Sequence, residues 1–219
     1  MIPDSLIRPY LIICEGTNDN AFLMALLKTR NISGFEVAYP QSPEQESDGR
    51  NGFGDLLGGL ILKRGFSNLR GIIILSDNDA NEAKSFQLIQ EQIEKAGSYS
   101  IPAQSFEAVQ TEGYPALIVL MLPWKGELGN LETLCLRAAV DNWPKVATCL
   151  NDYYECSDAP NWSLSKRSKM QLRCLLAATC KQDPNTSLTY IWKRQPEFQI
   201  PLAHPCFDNL ATFLKNFAV

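Results

Sequence analysis

Three stretches of this chain are apolar without interruption: the centre of Arg8–Cys14 (RPYLIIC), Ile72–Leu75 within GIIILSDNDAN, and Ala116–Leu122 (ALIVLML). A strand with one wet face alternates apolar and polar residues. An unbroken run rich in β-branched residues reads instead as a strand buried on both faces, the kind found in parallel sheets covered by helices. Each run also ends alike, in a polar loop with carboxylates that gives way to helical spacing. Glu15-Gly16-Thr17-Asn18-Asp19 precedes a helix over Ala21–Leu27. Asp77-Asn78-Asp79 precedes Glu82–Ala96, and the loop carrying Glu127 leads into Leu131–Val140, which carries Glu132. The pattern predicts an α/β fold with a Rossmann-like, mostly parallel sheet flanked by helices over residues 1–140.

Right-handed crossovers bring the carboxyl ends of such strands to one edge, where ligands of open α/β sheets gather. Glu15, Asp19, Asp77, Asp79 and Glu132 are therefore expected to converge. Each also has a bland explanation. Asp and Asn cap helices and build turns, which would account for Asp77-Asn78-Asp79. Asp19 can be a cap or a first-turn acid that complements the helix dipole. So can Glu132, behind a cap at Asn130. Glu15 is a poor turn former beside a permissive glycine, so a functional role is favoured there. Acids this close repel unless something positive lies between them. Five carboxylates without histidine suit Mg²⁺ or Mn²⁺ rather than zinc. Two such ions can clamp both oxygens of an in-line phosphoryl displacement.

The remaining segments frame that edge. Phe35–Tyr39 reads as a short strand. Pro40–Asn51 (PQSPEQESDGRN) is a polar loop, expected to be mobile and to face the same end of the sheet. Gly52–Phe66 has helical spacing weakened by Gly58-Gly59, and a short strand is expected near Phe106–Val109. From Asp141 onward the segments read helical, which predicts a mainly helical extension over residues 141–219 packed on the first part. Its Lys166, Arg167, Lys169 and Arg173 form the only basic cluster in the chain. That cluster is either a solvated helix face or a phosphate-facing patch.

Composition excludes several classes. Net charge is −4, so any nucleic-acid contact must come from a local patch. The single histidine, His204, argues against a His-based zinc site or a Ser-His-Asp apparatus. Seven cysteines with no CxxC pair suggest reduced thiols in the cytoplasm. No run of membrane-spanning length is present, and the first ten residues do not read as a signal peptide. Walker and GxGxxG patterns are absent.

EGTND after the first strand, SDNDAN after the third and GNLETLCL after a later one together resemble the Toprim domain. That domain occurs in topoisomerases, bacterial primases, recombination mediators and overcoming-lysogenization-defect (OLD) nucleases. The likeness covers Arg8–Val140 and is nearest to small standalone OLD-like Toprim proteins, whose tails SKRSKMQLRCLLA and FDNLATFL are also similar. The resemblance implies a divalent-metal-dependent nuclease or nickase acting on nucleic acid, DNA in preference to RNA, in repair or phage defence. It implies Glu15 as general acid/base or metal ligand, Asp77 and Asp79 as Mg²⁺ ligands, and Asp19 and Glu132 as further metal-facing acids. A C-terminal lysine supports the nuclease branch, with Lys166 as the candidate here. OLD nucleases carry an ATPase in the same chain; here a partner protein such as an ATPase would supply it. Two alternatives use much the same residues. One is a Toprim-fold module that binds metal or phosphate without turnover. The other is a receiver-like phosphotransfer domain with Lys125 as its lysine.

Overall fold

The computed structural model describes residues 5–40, 49–194 and 199–218. Four strands, β1 (Tyr10–Ile13), β2 (Phe35–Ala38), β3 (Gly71–Asp77) and β4 (Ala116–Leu122), form one parallel sheet in the order β2-β1-β3-β4. Ile13 lies beside Ala38 on one side and Ile74 on the other, and Asp77 lies beside Leu122. Successive side chains leave a strand on opposite faces. Tyr10, Ile12, Ile73, Leu75, Ile118 and Leu120 enter one core, whereas Leu11, Ile13, Ile72, Ile74, Val119 and Met121 enter the other. That is why these runs never alternate: neither face meets water.

Helices α1 (Thr17–Thr29), α4 (Leu131–Asn142), α6 (Leu164–Thr179), α7 (Leu188–Arg194) and α8 (Asp208–Phe217) bury apolar residues in the first core. Helices α2 (Phe53–Leu60) and α3 (Glu82–Ala96) fill the second. Helix α5 (Pro144–Glu155) buries only Ala147. The β1-α1-β2 connection thus crosses the first face and moves outward to one edge. Both β2-α2-β3 and β3-α3-β4 cross the second face and move the other way. Chains leaving the neighbouring ends of β1 and β3 therefore diverge to opposite faces. A crevice opens at such a switch point, and ligands of doubly wound sheets bind there.

The α/β architecture and parallel sheet match the sequence expectation, with differences at two places. The helix expected over Gly52–Phe66 stops at Leu60. Gly65 sits at φ 85° against the Leu6 carbonyl, where a Cβ would come within 2.0 Å, so the chain must turn there. The strand expected near Phe106–Val109 is a single antiparallel bridge, Val109 to Leu117, with Phe106 at φ 65°. Most of the polar loop Pro40–Asn51, residues 41–48, lies outside the described residues, so its expected mobility does too. Its end, Gly49–Gly52, is a 3-10 turn.

Helix α4 runs through residue 140 without a break. The C-terminal helices share the first core: Trp192 and Phe207 pack on Phe22 of α1 at 5.4 and 5.6 Å between ring centroids. Among the described residues no helix is long and apolar enough to cross a membrane.

Candidate functional site

Glu15 follows β1 where the strand meets the switch point. Its Oε1 accepts from the Ser76 hydroxyl (2.5 Å), the Asp77 N–H (3.0 Å) and Arg50 Nε (2.7 Å). The end of β3 thus holds this carboxylate against the adjacent strand. Arg50, on the 3-10 turn before α2, is four-fifths buried and points into the same place. Its Nη2 donates to the Asp77 carbonyl (2.7 Å) and to Asp79 Oδ2 (2.8 Å), and its Nη1 to Ser85 Oγ (3.2 Å). Burial opposes the guanidinium charge. Glu15, Asp79 and Asp77 outweigh that and hold it above the ordinary arginine value.

Asp77 and Asp79 are not caps of the helix they precede. Asn81 does that, its side chain accepting from the Lys84 N–H at 2.9 Å. Asp77 instead reaches across to α4, where its Oδ1 accepts from the Leu131 N–H at 3.0 Å. Asp79 sits at φ 51°, a left-handed conformation that Asp adopts more readily than most side chains. A pair of backbone hydrogen bonds with Gly129 (2.6 and 2.8 Å) fixes it there. Gly129 is itself at φ 123°, with Thr133 2.5 Å from where a Cβ would stand. Asn130 caps α4 as expected, in a reciprocal capping box with Thr133, and this puts Glu132 in the first turn. Asp19 lies in the first turn of α1, whose N-cap is Gly16.

The other four expected acids all act on Asp77. Asp77 is partly exposed at the end of β3, yet its carboxyl is pushed well above the carboxylate range, first by desolvation, then by Glu15, Asp19, Glu132 and Asp79. Asp19 is pushed up to about 7 by burial, Glu15 and Glu132. Burial also raises Glu132, against the pull of Lys169 and Arg173. As the side chains stand, no three acid, histidine or cysteine groups among the described residues close around a single point that could hold an ion. The arrangement accounts for this: Arg50 spans Glu15 and Asp79, and one Asp77 oxygen is turned to α4.

Helix α6 supplies the cationic rim. Ser165 Oγ donates to Asp79 Oδ1 (3.0 Å), and the Thr133 hydroxyl donates to Ser168 Oγ (2.9 Å). Lys169 and Arg173 continue that stripe, four and eight residues beyond Ser165, on the same helical face. Lys166 projects elsewhere and lies over Trp162, 5.4 Å from its ring centroid. The structure therefore brings Lys169 and Arg173 toward the acids, and not Lys166. Arg173 also lines a cavity of about 370 Å³ with Asn18, Leu176 and Asn185 beside the first turn of α1.

Other expectations fall outside the site. Glu127 pairs with Arg137 at 2.5 Å, and Lys125 is exposed on the turn after β4. His204 bonds Asp141 (2.9 Å) and accepts from the Cys206 N–H (3.2 Å), well along the chain's C-terminal segment. No cysteine is in a disulfide, and burial raises the thiols of Cys14 and Cys135. Sequence reasoning missed Arg50 and Ser165 as site residues, and named Lys169 and Arg173 only within a basic cluster whose face it left open. The available signal for Arg50 was slight: one arginine at the end of a polar loop on the carboxyl side of a parallel strand.

A family model described as a protein of unknown function (DUF3226) matches residues 9–218. No curated protein and no solved structure matches the chain.

Proposed function

The chain belongs to the DUF3226 family, whose description assigns no chemistry, and from its site we propose a Toprim-type, divalent-metal-dependent protein that cleaves phosphodiesters in nucleic acid, DNA in preference to RNA. The observation that carries this reading is the convergence of Glu15, Asp19, Asp77, Asp79 and Glu132 on a sheet switch point, where burial and neighbouring acids push Asp19, Asp77 and Glu132 upward. Evolution of a stable fold alone would not bury carboxyls that raise one another's pKa; a cation relieves them. The donor set fits Mg²⁺ or Mn²⁺, being all oxygen with no histidine or thiol. Asp77, Asp79 and Glu15 are the residues to hold it, with Asp19 and Glu132 behind them. When bound, such an ion stabilises charge that builds on a phosphoryl group during displacement.

The chain's own groups supply the rest. Glu15 is held by the Ser76 hydroxyl and the Asp77 N–H, which fixes the aim of its carboxylate. Lys169 and Arg173 offer phosphate contacts at the rim. With only a few such cations, a partner protein, such as an ATPase, would add to the grip on DNA. The test is cleavage of a panel of single- and double-stranded DNA and RNA with Mg²⁺ or Mn²⁺. Cutting by wild type that is lost in both Glu15→Gln and Asp77→Asn supports the reading; cutting that survives both overturns it.

One observation favours a second reading, a module that binds metal or phosphate without turnover. Arg50 already neutralises Glu15 and Asp79. Metal binding without cleavage of any substrate in the panel would select that alternative.

A further inference from the structure

Arg50 occupies the position that the acids offer to a cation. Its four hydrogen bonds use four of the five N–H groups of a guanidinium. Three of the four acceptors belong to Glu15, Asp77 and Asp79, the residues best placed to hold a metal. Glu15, Asp79 and Asp77 all act on this single charge, and a divalent ion matches three carboxylates better. Both cations cannot sit between Glu15 and Asp79 together. A guanidinium fork displaced from carboxylates is also a ready ligand for a phosphate, because both anions present paired oxygens to it. Arg50 has the reach for this. It stands on a short 3-10 turn rather than in a helix interior, after Gly49, which has a positive φ.

We propose that Arg50 is a two-position residue: counter-ion of Glu15 and Asp79 when metal is absent, and holder of the substrate phosphate once a divalent cation takes those carboxylates. The inference rests on the metal-dependent phosphodiester reading above. It makes Arg50 both a competitor of the metal and a partner of the substrate, two effects of opposite sign that a purely structural ion pair cannot give.

The experiment uses the full chain and the variants Arg50→Met, which keeps the stem and loses the charge, and Arg50→Lys, which keeps the charge and loses the fork. Mn²⁺ binding is followed by calorimetry without nucleic acid. Binding of a fluorescein-labelled single-stranded DNA oligonucleotide is followed by anisotropy at saturating Ca²⁺ and again in EDTA. Arg50→Met is expected to bind Mn²⁺ about fivefold tighter and the oligonucleotide about fivefold weaker at saturating Ca²⁺. In EDTA its oligonucleotide affinity equals that of wild type. Arg50→Lys is expected to keep wild-type Mn²⁺ affinity and to share the oligonucleotide defect, and it serves as the readout if Arg50→Met does not fold. Mn²⁺ binding that is unchanged or weaker in Arg50→Met, with wild type binding normally, overturns the two-position role alone. Absence of Mn²⁺ binding in wild type and variants overturns this proposal and the metal reading together.

Discussion

A carboxyl that titrates near 7 inside the fold has a direct consequence for stability. Asp19 ionises near 4 in an unfolded chain and at about 7 here. Between those values the native state holds a proton that the unfolded state has released, so stability falls as pH rises through that window. Asp77 shifts in the same direction, also first through burial. Metal binding needs the deprotonated acids and so runs the opposite way with pH. In EDTA, Asp19→Asn should therefore match wild type in melting temperature near pH 4 and exceed it by a widening margin up to pH 8. Each kcal/mol relieved is worth about 2–4 °C for a chain of this size. Calorimetry across that range decides it: a gap between the two proteins that does not grow with pH means that Asp19 is not strained.

Single elements show why some of the site was legible and some was not. Unbroken apolar runs report burial on both faces, and helical spacing reports a buried stripe; both signals are local, so β1, β3, β4 and α3 could be placed from sequence. Acids directly after those strands follow from the same local logic. Which residues of α6 face the acids depends on how that helix lies across α4, and no local pattern encodes it. The serine stripe Ser165 and Ser168 sets the phase, and it selects Lys169 and Arg173 where sequence had pointed to Lys166. Lys169→Ala and Arg173→Ala should each weaken DNA binding and reduce its salt dependence by about one phosphate contact, whereas Lys166→Ala should leave both unchanged. Affinity titrations at several salt concentrations read this directly; equal effects from all three would mean a diffuse basic face. The β4–α4 connection is equally specific. Gly129→Ala must place a Cβ against Thr133 in a backbone conformation that alanine avoids. A loss of about 1–3 kcal/mol in denaturant unfolding is expected, together with weaker Mn²⁺ binding, because Asp79 depends on Gly129 for its position.

At the scale of the molecule, the helices before and after residue 141 share one apolar core. Helix α1 shows how. Its first turn carries Asp19. Its last residues are followed by Arg30, which donates to the carbonyls of Leu202 (2.8 Å) and His204 (3.0 Å) and pairs with Asp208 (2.9 Å). Between those ends, Phe22 is fully buried against Trp192 and Phe207. The extension therefore sets where α1 lies, and α1 sets where Asp19 lies relative to Glu15 and Glu132. A composition change near residue 141 marks a change of secondary-structure class, not a seam in the core, because the apolar residues on both sides enter the same cluster. Phe207→Ala removes a fully buried ring that packs on Phe22 and opens a cavity under α1. It should cost about 3–5 kcal/mol and lower the melting temperature by on the order of 10 °C. Scanning calorimetry should show one transition in wild type and variant alike, with calorimetric and van't Hoff enthalpies equal, and Mn²⁺ affinity should fall in the variant at temperatures where it is still folded. Two separate transitions, with the first leaving Mn²⁺ binding intact, would mean that the extension is a dispensable appendage and that the acid edge is assembled by the sheet alone.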